Sequence, residues 1–155
     1  MRNHLPTRIL LASLLVPIGV GAQGGATGIA GKGEWPNGTP DESSLTLSAT
    51  LLPNGSAVGY SRGSLGFPQI AIGPVVQVVP PSGAVDYWCI NVRPTNVDPS
   101  VGDMRLNWYI RDVGDGRSSF DQVTLHPMDV GVDCTTFPNV SGVFETLRSG
   151  DFRSH

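Results

Sequence analysis

Three aspartates are the residues whose type and spacing come closest to chemistry. They are Asp112 and Asp115 in Asp112-Val113-Gly114-Asp115-Gly116, and Asp121 in Phe120-Asp121-Gln122. Carboxylate oxygens gathered on one loop are what an extracellular calcium ion takes, so these three are the candidate metal ligands. The spacing is not that of an EF-hand, and no bidentate Glu closes it. Asp and Gly are also ordinary turn residues, since Asp caps its own backbone and Gly accepts positive φ. Calcium is thus the one cofactor the sequence offers, set against the expectation of none.

Other chemistries find less. A nucleophile needs a neighbouring base. Beyond the first 22 residues the histidines are His126 and His155, and no Gly-x-Ser-x-Gly elbow occurs. His126 with Asp129 and Asp133 has ligand types for zinc or copper but reads as a polar loop. Glycoside hydrolysis needs two carboxylates held across a cleft, and nothing pairs Glu34, Glu42 and Glu145. Trp35, Tyr60 and Tyr109 are the aromatics open to a sugar; Trp88 and Trp108 read as core. No catalytic residue is assigned.

Cys89 and Cys134 are the two cysteines of the chain. In an oxidising compartment an even pair reads as one disulfide, the alternative being two buried thiols. Closing a loop of this length would contribute roughly 3–4 kcal/mol. Too few cysteines exist for a structural zinc site.

The compartment follows from the N-terminus. Arg2 and Arg8 precede an apolar run, Ile9 to Ala22, shorter than the ~20 residues of a membrane helix. Val20-Gly21-Ala22 supplies small residues for a peptidase. Residues 1–22 read as a secretory signal peptide, leaving no membrane span after cleavage, and the protein is expected to be secreted, periplasmic or extracellular. The formal net charge of −3 becomes −5 without Arg2 and Arg8, eight basic residues standing against thirteen acidic. An acidic surface argues against nucleic acid and against anionic lipid.

The elements that must position these residues are strands. With 20 Gly and 13 Pro and no helical period over three turns, the chain suits short strands joined by tight turns. Ser44 to Leu51 alternates, with Leu45, Leu47, Ala49 and Leu51 on one face. Pro53-Asn54-Gly55-Ser56 signals a hairpin, the Asn-Gly pair suiting a primed turn. The return strand carries Val58 and Tyr60 on one face, and Gly59 and Gly63 within it suggest a bulge or the close approach of another backbone. Ile70 to Val79 is apolar on consecutive positions, as in a strand covered on both faces, with Pro74 at an edge or a break. Tyr87 to Val92 is a further strand with Trp88, Ile90 and Val92 inward.

Met104 to Leu125 is the central hairpin. Met104, Leu106, Trp108 and Ile110 face the core, and Arg105, Asn107, Tyr109 and Arg111 face water. After Leu125, His126 to Val132 is a loop or short strand, Cys134 a tie-down point, and Ser149 to Arg153 a closing strand. Residues 23–32 read as a flexible arm and 33–155 as one β domain. The expected fold is all-β, an antiparallel β-sandwich or open barrel of about eight strands.

The hairpin Tyr109 to Gly116 followed by Phe120-Asp121-Gln122-Val123-Thr124-Leu125 resembles small secreted bacterial β-domain proteins of unknown function. Cys89-Ile90-Asn91-Val92 is similar to their Cys-x-Val strand, Cys134-Thr135-Thr136-Phe137-Pro138 to their later cysteine, and Ser149-Gly150-Asp151-Phe152 to their closing segment. Val113 departs from the pattern, where relatives tend to carry Asn. The resemblance implies a secreted β-sandwich or open barrel and brings no activity with it. The functional expectation is a non-catalytic binding or structural role outside the cell, with an extracellular protein or glycan as partner. The alternatives are an extracellular hydrolase and a calcium-stabilised surface module.

Overall fold

The computed structural model describes residues 27–36, 43–64, 70–114, 121–135 and 143–155. The expected signal peptide, the first part of the expected arm and Asp115 lie outside the described residues. Within them the chain forms nine strands: β1 (Thr27–Trp35), β2 (Ser43–Leu51), β3 (Ala57–Ser64), β4 (Ile70–Val79), β5 (Trp88–Val92), β6 (Met104–Arg111), β7 (Gln122–Val130), β8 (Glu145–Thr146) and β9 (Ser149–Ser154). A short 3-10 turn, Pro99–Val101, precedes β6, the Ser100 N–H capped by the Asp98 carboxylate.

All nine strands belong to one antiparallel sheet in the order β8-β7-β6-β5-β4-β3-β2-β1-β9. The sheet curls into an open barrel, as the alternation of buried and exposed positions requires once one face must leave water. β4 turns the corner. Its first half pairs with β3 as far as Pro74, and its second half pairs with β5 from Val75, with a register shift between Val75 and Gln77. Proline cannot donate to a ladder, so the change of partner falls where a bond is missing anyway.

The inner faces meet around Trp108, which is fully buried. Its indole stands edge-on to Trp35 of β1, with ring centroids 6.1 Å apart and planes at 81°. Its Nε1 donates to Ser61 Oγ of β3 at 3.1 Å. A side chain from β6 therefore touches strands from the other half of the curl, and one core serves the whole sheet. Gly63 of β3 leaves the room this needs, because a Cβ there would collide with the Trp108 ring. The close approach expected at Gly63 is to a side chain.

Several expectations are corrected. Residues 27–32 of the expected arm are strand, paired with β2 on one side and β9 on the other. The hairpin at Asn54-Gly55 is not a primed turn. Gly55 N–H donates to Leu52 O, no residue other than glycine has positive φ among the described residues, and Gly55 has φ 81°. This is a type I turn with a glycine bulge, Pro53 and Asn54 being its central residues; Pro53 suits the first of these and lacks the N–H that the residue before a primed Asn54-Gly55 turn would donate. Of the two readings of His126 to Val132, the strand holds as far as Val130, where it is the continuation of β7. The second face of β6 is not wet: Asn107 and Tyr109 are buried along with Leu106, Trp108 and Ile110.

Candidate functional site

What covers that second face is the segment after β7. Val132 and Cys134 are buried, and Cys89 and Cys134 form a disulfide with Cα atoms 5.9 Å apart. The strap is also held by amide side chains. Gln77, Asn91 and Asn107 are cross-strand neighbours on β4, β5 and β6. Asn91 Nδ2 donates to Val132 O at 2.9 Å, Asn107 Nδ2 donates to Asp133 O at 3.0 Å, and Cys134 N–H donates to Gln77 Oε1 at 2.9 Å. Buried amides are tolerated when their donors and acceptors are paired, as here. Beside them Tyr109, Tyr87 and Phe144 form a small aromatic cluster against the disulfide. Burial pushes the Tyr109 phenol up from its ordinary value.

The candidate calcium ligands have structural partners. Asp121 is buried, its Oδ1 accepting Val113 N–H at 2.9 Å and its Oδ2 accepting Phe152 N–H at 2.6 Å. Asp112 Oδ2 accepts both the N–H and the hydroxyl of Ser154, at 2.9 and 2.8 Å, and its Oδ1 accepts Gly114 N–H at 3.0 Å. Phe152 and Ser154 are two apart on β9, so their N–H groups leave the same edge of that strand. Two carboxylates stand where a neighbouring strand would supply carbonyls. The backbone continues the seam: Leu147 N–H donates to Asp121 O, and Arg148 N–H to Glu34 O. Residues 145–154 thus pair with β7 through β8 and with β1 through β9, bridging the two ends of the curled sheet.

The two carboxyls respond oppositely to this setting. Burial pushes Asp121 up from 3.8, the charges of Asp112 and Asp151 add to it, and the two accepted N–H bonds do not offset them. Burial also acts on Asp112, but the bonds from Ser154 and Gly114 outweigh it and hold that carboxyl low. No group of three or more His, Cys, Asp or Glu placed to hold a metal occurs among the described residues. Asp129 accepts its neighbour's N–H, and Asp133 accepts the N–H and hydroxyl of Thr135.

At the end of the barrel beside this seam lies an open groove of about 970 Å³, bordered by Asp86, Trp88, Asp112, Val113, Arg153 and His155. Its carboxylates are partnered too. Asp86 pairs with Arg111 at 2.9 Å, and that guanidinium lies 4.3 Å from the centre of the Phe144 ring.

Of the aromatics considered for a sugar, Trp35 and Tyr109 are buried and Tyr60 is 53% exposed. Tyr60 shares the outer face of β1–β4 with Lys32 and Arg62, two cations the sequence did not single out. The only available signal was that Lys32 is the single lysine of the chain. No protein-family model, curated protein or solved structure matches the chain. Fold and site together define a small antiparallel β domain closed by a carboxylate seam and one disulfide.

Proposed function

We propose that this is a non-catalytic module acting outside the cytoplasm, in a binding or structural role. The observation that carries the reading is the commitment of Asp112 and Asp121 to the N–H groups of β9. The acids best placed for chemistry support the scaffold. The disulfide adds weight, because such bonds persist in oxidising compartments. So does the basic-then-apolar N-terminus, which has the composition of an export signal. None of the described helices is long and apolar enough to cross a membrane.

The test is fractionation of cells expressing the full chain, with thiol alkylation and mass determination of the product. The expected product begins at Gln23, lies outside the cytoplasm and has no alkylatable cysteine. The purified protein is then incubated with panels of glycoside, ester and peptide substrates, and none turns over. Cytoplasmic protein with free thiols, or turnover lost in an Asp86→Asn variant, overturns the reading.

A further inference from the structure

We propose that the outer face of β1–β3 and β9 is a docking platform for an anionic polysaccharide, one carrying carboxylate or sulfate groups. The proposal deepens the binding role above and rests on that reading. Two rows of cross-strand neighbours define the platform. One runs Asp151, Lys32, Thr46, Arg62, and the other Arg153, Ala30, Ser48, Tyr60. Direct partners project to the same side of a sheet, so these side chains share one surface.

Charge selects the ligand. Arg93 and Arg105 pair with Asp103, Arg111 with Asp86, and Arg153 with Asp151. Lys32 and Arg62 are exposed and have no carboxylate partner among the described residues. They flank Thr46 two strands apart, a Cα separation of roughly 9–10 Å. An acidic protein thus presents two cations outside these ion pairs, in register on the outer face of the curled sheet. Two acids share the face: Asp151, cross-strand from Lys32 and paired with Arg153, and Glu34, which accepts from the Ser149 hydroxyl and keeps its charge; the three cations Lys32, Arg62 and Arg153 outnumber them. Shallow depressions of about 470 and 370 Å³ adjoin Lys32, with Thr46 and Gly150 lining both. Next to Arg62 the exposed Tyr60 ring offers an apolar face with a polar tip, which suits the C–H side of a sugar ring. Thr46 stands between the two cations and Ser48 beside Tyr60, so each row also offers a hydroxyl to a sugar.

The experiment is affinity electrophoresis of the purified, disulfide-bonded protein through gels containing polygalacturonate or dextran sulfate, with neutral dextran as the control. The two anionic polymers retard the protein, neutral dextran does not, and 0.5 M salt abolishes the effect. The double variant Lys32→Ala/Arg62→Ala weakens retardation at least about tenfold, since each lost contact is a charge-assisted hydrogen bond. Tyr60→Ala weakens it severalfold, and Arg93→Ala, whose residue lies outside the platform, leaves it unchanged. Unchanged thermal midpoints show that the exposed-site variants fold. No retardation, retardation unchanged in the double variant, or equal binding to duplex DNA or phosphatidylserine vesicles overturns the platform. Failure of the parent reading shows separately, as cytoplasmic location or turnover.

Discussion

Asn91 and Asn107 face each other across β5 and β6, both fully buried, with Asn91 Nδ2 donating to Asn107 Oδ1 at 2.6 Å. Each also holds a carbonyl of the strap, and Arg105 donates to Asn91 Oδ1 at 3.2 Å. An outer face that alternation alone would give to water is thus a second, polar interior. Replacing Asn107 by Ala removes the bonds its side chain makes with Asn91 Nδ2, the Asp133 carbonyl and the Tyr109 hydroxyl. The expected cost is about 2–3 kcal/mol in urea unfolding, with the slope against denaturant unchanged.

Removal of the disulfide in a Cys89→Ala/Cys134→Ala variant is expected to lower stability by roughly 3–4 kcal/mol, from the entropy restored to the unfolded loop. Hydrogen exchange locates the effect. Amides of the strap, residues 131–135, exchange faster relative to global unfolding, while those around Trp108 follow global stability alone.

Asp112 and Asp121 predict opposite pH dependences. The folded-state value of Asp121 is raised, so its contribution is fully present below 3.8 and is lost as pH rises through the folded value. Asp112 is held low, so its contribution is present above 3.8 and is lost as pH falls through its folded value. Unfolding curves from pH 7 to pH 3 check this. The stability gap between the wild type and Asp121→Asn widens as pH falls, and the gap to Asp112→Asn narrows. Parallel curves would contradict the geometry of the seam.

Gly63→Ala places a methyl group against the Trp108 ring and is expected to cost about 1–3 kcal/mol, as overpacking of a filled core does. Near-ultraviolet circular dichroism reports the disturbed indole even where the fold persists.

Where side chains carried the burial, the fold was legible in the sequence. Leu45, Leu47 and Ala49 on β2, and Leu106, Trp108 and Ile110 on β6, are buried as their spacing requires. β1 was missed from Thr27 to Lys32 because its inner row, Ile29, Gly31 and Gly33 before Trp35, is half glycine. Gly31 and Gly33 leave space for Phe152 and Leu147, so the apolar contribution comes from partners more than a hundred residues away. The same distance hid the seam. Asp112, Asp115 and Asp121 read as a cluster by nearness in the chain, whereas Asp112 and Asp121 answer to β9. The paired Cys89 and Cys134 were readable from number and compartment. The register that aligns Lys32, Thr46 and Arg62 was not, because it depends on two turns whose geometry decides which residues stand opposite.

The bridging role of residues 145–154 has a consequence for how the molecule is made. A chain emerging N-terminus first, whether from a ribosome or through an export pore, presents β1 with one bare edge until residue 149 arrives. That edge is a template for any stray extended peptide in the interval. The sheet is completed by β9, which follows the other eight strands in the chain, so β1 gains its second neighbour only after all of them have emerged.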